Sequence, residues 1–361
     1  MKRVIVSVTN DLITDQRVAK TCDVLLSLKY EVLLVGRKLK NSHPVSRAYQ
    51  TKRFSLVFNS SFLFYAEYNI RLFFFLLGKK KHLLFSNDLD TLPANYLVSI
   101  LQKKKLVYDS HELFTEIPEL VKKPLIKKCW LGIEKILFPN LKNVMVVSDA
   151  IADFYTKKYG VLCNVIRNLP QVFTIEPGVF PFEKNAKKVI LYQGAVNIGR
   201  GLELIIDTMP LLENYLLVII GDGDIFTTLK EDTAHRGLEN KIFFLGKKSP
   251  EELKKLTPLA DIGISLEEDM GLNYRYALPN KLFDYIHAEI PVVVSNLPEM
   301  KKIVAQYSVG KILEERSSEK LASLLLSIDK PKYTNVLKKA KEELNWNMEK
   351  EKLILIFEHL S

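Results

Sequence analysis

The sequence predicts an α/β protein built from two doubly wound, Rossmann-like domains facing across a cleft. Three observations predict it. Short apolar runs alternate with helical patterns along both halves, the order that yields a parallel sheet with helices on both faces. The alternation stops over residues 171–186, where Pro177, Gly178 and Pro181 break any period, and then starts again. The chain of 361 residues is too long for one ordinary core and suits two.

In the first half, residues 4–8, 31–35, 54–58, 82–85, 106–109, 144–147 and 164–166 read as strands, with helices between them such as 15–28 and 93–101. The second half repeats the plan, with strands at 189–193, 216–220, 242–245, 262–266 and 292–295. Its helices fall at 202–212, 225–236, 250–256, 281–287 and 319–327, and a terminal helix runs from Trp346. The expected organisation is a domain over 1–170, a linker over 171–186, a domain over 187–345 and a final helix over 346–361. Two such domains enclose a cleft, where small ligands bind.

Hydrophobic residues make up 47% and charged residues 26%, as in a globular protein. The three cysteines, Cys22, Cys129 and Cys163, have no metal or redox spacing, which points to a reducing cytoplasm. The chain enters its first strand with no signal-peptide pattern. Residues 1–175 hold 27 Lys and Arg against 14 Asp and Glu, and the remainder 25 against 28, so the net charge of +10 lies in the first half. Lys79 to Lys81, Lys103 to Lys105, Lys122 with Lys123, and Lys127 with Lys128 form basic runs suited to solvent, anionic lipid or a phosphate-bearing acceptor. No nucleic-acid motif accompanies them, which excludes that class. The apolar stretch 62–77 falls short of a membrane span. It reads as a helix packed in the first domain or as an amphipathic helix against a bilayer, with Lys79 to Lys81 facing the lipid.

In α/β sheets the chemistry sits where strands end and helices begin. After residue 279 a helix start at Asn280 and Lys281 offers free N–H groups and a cation to a phosphate, and Asp284, one turn on, suits a ribose diol. Gly194 to Gly201 follows the first strand of the second half. Its glycines let a ligand approach, and Arg200 can pair with a phosphate, the alternative being an ordinary tight turn. Gly221 to Asp224 is a second such turn. The glycine fingerprint of a dinucleotide enzyme is absent after the first strand, which excludes a dehydrogenase.

In the first half, Asp109-Ser110-His111-Glu112 ends a strand. A His beside carboxylates can orient a hydroxyl or move a proton, the alternative being a structural His. Asp15 reads as a helix N-cap, and its place at the sheet edge also lets it and Arg17 meet an acceptor. Asp88-Leu89-Asp90 has the form of a metal-binding DxD but lies between strand and helix, where helix capping is expected, and no metal site is predicted.

Taken in order, these segments resemble the group 1 glycosyltransferases, family 4, of the GT-B fold, in a subgroup of bacterial surface-polysaccharide synthesis. NDLITDQRV, YEVLLVGR, YDSHELFTEIPEL, VMVVSDAIADFYTKKYG and VIRNLP carry the likeness in the first half. LYQGAVNIGRGLE, IIGDGD, IFFLGKKSPEEL, ADIGISL and PNKLFDYIHAEIPVVVS carry it in the second.

The resemblance implies that Asp284 holds the donor ribose as the second carboxylate of the family's E-x7-E motif, whose first position is Tyr276 here. It places Arg200 at the diphosphate and Ala195 where a second basic residue is usual, with Lys281 and Asn280 as candidates to make up the charge. His111 takes the part of the histidine that reaches the transferred sugar, with Glu112, Asp15 and Arg17 on the acceptor side. Phe244, Leu245, Gly246 and Lys247 form the strand end and turn for the nucleobase, with Gly194 and Gly221 beneath the donor. The terminal helix returns to the first domain.

The implied function is transfer of a sugar, with retention, from a UDP- or GDP-sugar to a saccharide or lipid-linked saccharide acceptor. It needs no metal or bound cofactor, and the enzyme would be cytoplasmic, with a possible inner-membrane surface as a partner. Oligomeric state is left open. The rivals are a nucleotide-sugar epimerase of the same architecture and a non-catalytic partner subunit.

Overall fold

The computed structural model describes residues 2–13, 15–117, 120 and 123–360. Thr14 and Lys122, parts of two segments singled out above, lie outside the described residues, as do Pro118 and Glu119. The chain divides into two compact units, one comprising Met1–Asn168 with Glu349–Ser361 and the other Leu169–Met348.

The first unit is a seven-stranded parallel sheet ordered β3-β2-β1-β4-β5-β6-β7. Its strands are β1 (Arg3–Ser7), β2 (Glu31–Lys38), β3 (Gln50–Ser55), β4 (Leu83–Asn87), β5 (Lys105–Ser110), β6 (Val144–Val146) and β7 (Cys163–Val165). Ile5 of β1 pairs with Leu33 on one side and Leu84 on the other, and all three are buried. Helices cover both faces of the central strands, so these read as continuous apolar runs rather than alternating ones.

The second unit has six parallel strands ordered β10-β9-β8-β11-β12-β13. These are β8 (Lys188–Gln193), β9 (Tyr215–Ile220), β10 (Ile242–Gly246), β11 (Ile262–Ser265), β12 (Val292–Ser295) and β13 (Gly310–Leu313). Two apolar layers sandwich this sheet. One gathers Val189, Leu191, Val218, Tyr285 and Val294, and the other Ile190, Ile219, Ile264 and Val293. Neighbouring residues of one strand thus enter opposite cores.

Strand order reverses between β1 and β4 in the first sheet and between β8 and β11 in the second. At such switch points the loops leaving adjacent strands diverge to opposite faces and leave a crevice at the strand ends.

Several expectations are corrected. The third strand is Gln50–Ser55, not 54–58. It is an edge strand of polar, mostly exposed residues (QTKRFS), the composition that keeps edges from pairing elsewhere and hides them from an apolar-run search. The helix expected at 93–101 begins at Asp88 and carries Pro93 inside it. The helix expected to reach 212 ends at Thr208 and tightens into a 3-10 turn at Met209–Leu211, where Pro210 lacks the N–H that would continue it.

Residues 171–186 are not a free linker. Phe180 is buried, Phe182 stacks on Phe243 with ring centroids 3.8 Å apart, and Gly178 N donates to Lys255 O at 2.8 Å. The terminal helix, Trp346–His359, joins the first unit from Glu349 onward. There Phe357 contacts the rings of Tyr30 and Phe85, and Glu349 accepts from Arg167 N at 2.9 Å.

The apolar stretch forms the helix α2 (Ser61–Leu77). Phe64, Tyr68, Leu72 and Leu76, spaced by four, form its buried stripe, while Phe62, Leu63, Ile70 and Phe74 are exposed. Lys81 does not face outward. It is 4% exposed, and its ammonium donates to Leu76 O, Lys79 O and Gln102, which ties down the C-terminal end of α2. Among the described residues no helix is long and apolar enough to cross a membrane.

Candidate functional site

Each unit carries a cluster of charged side chains at its switch point. In the second unit, the turn after β8 holds Gly194 and Arg200, the turn after β9 holds Gly221, and the loop after β11 holds Glu267. The helix Asn280–His287 brings Lys281 and Asp284. Three sequence features set this helix in place. Tyr285 sends its hydroxyl into the sheet, where it accepts from Gln193 N at 3.0 Å and lies 3.2 Å from Leu191 O and Ile264 O. Gly263 makes room for that ring, since a Cβ there would lie 2.4 Å from Tyr285 Cγ. Gln193, the last residue of β8, donates to Asp284 Oδ2 at 3.0 Å and accepts from Thr257 Oγ1 at 2.7 Å, so Asp284 is aimed before any ligand arrives.

Lys281 and Arg200 converge on one buried carboxylate. Lys281 Nζ lies 2.8 Å from Glu267 Oε1, and an Arg200 terminal nitrogen lies 3.7 Å from the same oxygen. Glu267 is fully buried. Burial alone would push its carboxyl up, but the Lys281 ammonium, the Ser265 hydroxyl and Arg200 hold it below the usual range. Ser265 Oγ donates to Glu267 Oε2 at 2.7 Å, and Arg316 bonds the backbone oxygens of Leu266 and Glu267 at 3.0 and 3.3 Å. Lys281 Nζ also sits 4.0 Å above the Tyr192 ring, and Arg200 lies 5.0 Å from the centre of the Tyr274 ring.

The glycines here are structural requirements. A Cβ at Gly221 would meet Gly194 O at 1.8 Å, and Gly194, at φ 134°, has the Lys281 side chain 3.6 Å from where its own Cβ would be. Lys281 therefore reaches the Gly194–Ala195 turn from the first turn of the helix Asn280–His287.

β10 ends in a register shift between Phe244 and Gly246, with Gly246 at φ 66°. Phe244 and Leu245 are half-buried, Phe244 edge-on to Phe226, and Lys247 is exposed. Tyr276 closes the short helix Leu272–Arg275, and Asn280 is exposed at the start of the next.

Sequence reasoning missed Glu267, Gln193 and Arg316. The available signal for Glu267 was a glutamate pair directly after an apolar strand, at the strand end where ligands bind.

In the first unit His111 is clamped between two carboxylates. Its Nδ1 lies 3.3 Å from Asp88 Oδ2 and its Nε2 3.3 Å from Asp109 Oδ2, and its backbone N donates to Asp88 Oδ1 at 2.8 Å. Burial opposes charge on the ring, but Asp88 and Asp109 outweigh it and raise the imidazole to about 9. Asp109, fully buried, is held far below the usual carboxylate range, because Arg17 and His111 outweigh its burial.

Arg17 departs from its expected role. It is 4% exposed, its Nε and one terminal nitrogen donate to Asp109 at 2.9 and 2.6 Å, and the other terminal nitrogen donates to Ile166 O at 2.6 Å. A guanidinium so committed cannot reach an acceptor. It fixes Asp109, which fixes His111. Asp15 caps its helix, accepting from Val18 N at 3.0 Å, and also accepts from Asn10. Glu112 enters through its carbonyl, which accepts from Ser110 Oγ at 2.8 Å.

Neither aspartate of Asp88-Leu89-Asp90 is a cap. The N-cap is Asn87, whose side chain makes no capping bond and donates instead to Ser7 O at 3.0 Å. Asp88 serves His111, and Asp90 accepts from Thr9 Oγ1 at 2.6 Å. Burial, with the nearby Asp88, raises Asp90 to about 7. Among the described residues no three His, Cys, Asp or Glu side chains are grouped to hold a metal ion.

Residues 179–343, within the second unit, match the family Glycosyl transferases group 1. Over 123 residues the chain is 33% identical to an uncharacterised glycosyltransferase of Methanocaldococcus jannaschii, a match spanning 33% of this chain and 30% of that relative's length. Among solved structures it is similar to sucrose-phosphate synthase from Thermosynechococcus elongatus (TM-score 0.83, 14% identity, 100% of this chain and 99% of that one). It is also similar to Anabaena HepE in complex with UDP-glucose (TM-score 0.74, 14% identity, 99% and 100%). A third is WaaG, a glycosyltransferase involved in lipopolysaccharide biosynthesis (TM-score 0.66, 13% identity, 99% and 99%). At these identities the likeness carries the fold, and that fold is the pair of Rossmann-like domains of GT-B glycosyltransferases.

Proposed function

We propose that the chain is a retaining glycosyltransferase. It would move a sugar from a nucleoside-diphosphate sugar, UDP or GDP, to a saccharide acceptor that is lipid-linked, in the assembly of a capsule, O-antigen or exopolysaccharide. The observation that carries this reading is the convergence of Arg200 and Lys281 on one face, with Asp284 held by Gln193 one turn beyond Lys281. Two cations suit a diphosphate, and a pre-aimed carboxylate suits a ribose diol. The Phe244–Gly246 strand end is the assigned place of the base. The complexes of HepE with UDP and with UDP-glucose agree with a uridine donor.

In the reaction the bond from the anomeric carbon to the β-phosphate oxygen breaks, and the acceptor oxygen bonds to that carbon on the same face. The acceptor's proton passes to the departing phosphate oxygen, so no enzymic nucleophile is required. Arg200 and Lys281 stabilise the charge growing on the leaving diphosphate, which is where electrostatic catalysis is worth most, and protein cations do here the work a metal does elsewhere. His111 would lie against the transferred sugar without accepting a proton, since both of its ring nitrogens face carboxylates.

An inner-membrane surface as partner is supported by the exposed apolar face of α2 together with Leu97, Ile100 and Leu101 of the neighbouring helix Asp88–Leu101, flanked by exposed Lys79, Lys80 and Lys103.

The test is transfer of labelled sugar from UDP- and GDP-sugars to a polyprenyl-diphosphate-linked saccharide, with the product anomer read by NMR. Transfer with retention is expected. Inversion would refute the mechanism. Conversion of the donor without acceptor would favour an epimerase, and donor binding without turnover a partner subunit.

A further inference from the structure

Glu267 is the one carboxylate of the second unit's cluster that the mechanism leaves without a task. It cannot be a mere surface charge, because it is fully buried in the loop after β11. It is also not idle packing, since three devices fix it: the Ser265 hydroxyl on Oε2, Lys281 on Oε1, and Arg316 on the backbone beneath it. Arg316 itself is anchored to Ser295 Oγ at 2.9 Å and lies 3.4 Å from Glu268.

We infer that Glu267 is a charge-setting and positioning residue: acting through Lys281 and Arg200, it reduces the cationic cluster from two charges to one and so limits how tightly the released nucleoside diphosphate is held.

The reasoning is electrostatic. A sugar nucleotide carries two negative charges on its diphosphate, and the leaving nucleoside diphosphate carries about one more near neutral pH. In a site of low effective dielectric, two uncompensated cations would favour the product over the substrate and slow its departure. A buried carboxylate 2.8 Å from one cation and 3.7 Å from the other removes part of that bias and also holds Lys281 extended toward the Gly194 turn. Before ligand arrives, the same carboxylate partners Lys281, which is only 8% exposed and would otherwise be a desolvated, unpaired charge.

This inference rests on the donor reading given above, and calorimetric titration with UDP and GDP separates the two. If the native chain binds neither nucleotide, the donor reading fails. If it binds one, Glu267→Gln decides the inference. Glutamine keeps the length and the oxygen near Lys281 but removes the charge, so the dissociation constant for the diphosphate should fall about tenfold, with kcat reduced as release becomes limiting. Glu267→Asp, which keeps the charge, should stay closer to the native value. A merely structural role predicts the opposite sign, weaker binding in both variants.

Should Glu267→Gln fail to fold, the paired substitution Lys281→Met with Glu267→Gln leaves no unpaired buried charge and keeps Arg200. It should bind the diphosphate more tightly than Lys281→Met alone. Equal or weaker binding by the pair, or weaker binding by Glu267→Gln, overturns the inference.

Discussion

The two switch points use different charge balances. In the first unit, two cations, Arg17 and His111, face two carboxylates, Asp109 and Asp88, with Asp90 close by. In the second unit, two cations, Arg200 and Lys281, share the single carboxylate of Glu267. The first cluster is saturated and leaves no positive charge for an anion. The second keeps a surplus, and a surplus of positive charge at strand ends is what a diphosphate requires. Both sheets have the same topology at this point, so the sheet alone does not distinguish the two roles. The side chains hung on the loops do.

The largest effect on activity should follow from removing the surplus. Arg200→Ala is expected to lower the rate of transfer by a factor of about 10²–10³, the usual result of deleting one donor to a developing oxyanion. Steady-state kinetics with the UDP- or GDP-sugar would show it, and an unchanged rate would place the diphosphate elsewhere.

In the saturated cluster the expected loss is of stability. Arg17→Met leaves Asp109 buried without its strongest partner and should reduce unfolding stability by about 3–5 kcal/mol, read by urea denaturation. A loss confined to activity, with stability kept, would show that Arg17 acts on a ligand after all.

The saturated cluster should also respond to pH. His111 is raised from an ordinary value near 6.5 to about 9. A group raised in the folded state contributes stability that is fully present below its unfolded value and is lost as pH rises through its folded value. The stability difference between the native chain and His111→Asn should therefore be greatest below pH 6.5 and shrink as pH rises through about 9. A difference that grew with pH would mean that the ring is neutral between Asp88 and Asp109.

The smallest effect concerns the membrane. Replacing Lys79 and Lys80 with Gln should weaken binding to vesicles containing anionic lipid by about 1 kcal/mol per charge, with transfer to a soluble saccharide acceptor unaffected. Equal binding by both proteins would remove these lysines from the lipid contact.

How much of this was legible in the sequence follows the same division. The central strands were plain because both faces are buried, which gives β8 and β9 their unbroken apolar runs. The edge strands β3 and β13 were mislocated or missed, since an edge is deliberately polar or short. Lys281, Arg200 and Asp284 could be singled out because each stands at a strand end or helix start, a position read locally. Glu267 also follows a strand end, but its role is not read there, since its meaning lies in Lys281, fourteen residues on, and in Arg200, from another loop. Arg17 misled for the same reason: its place in sequence suggested the sheet edge, while its partner Asp109 lies 92 residues away. Position along the chain reveals where a side chain starts, and burial with a distant partner decides what it can touch.

The most direct test of the central claim is titration calorimetry of UDP and GDP against the native chain, Arg200→Ala and Asp284→Asn. The donor assignment predicts that one nucleotide binds the native chain and that both variants lose most of that affinity, Arg200→Ala through the diphosphate and Asp284→Asn through the ribose. Binding of neither nucleotide, or binding undiminished in both variants, would contradict it.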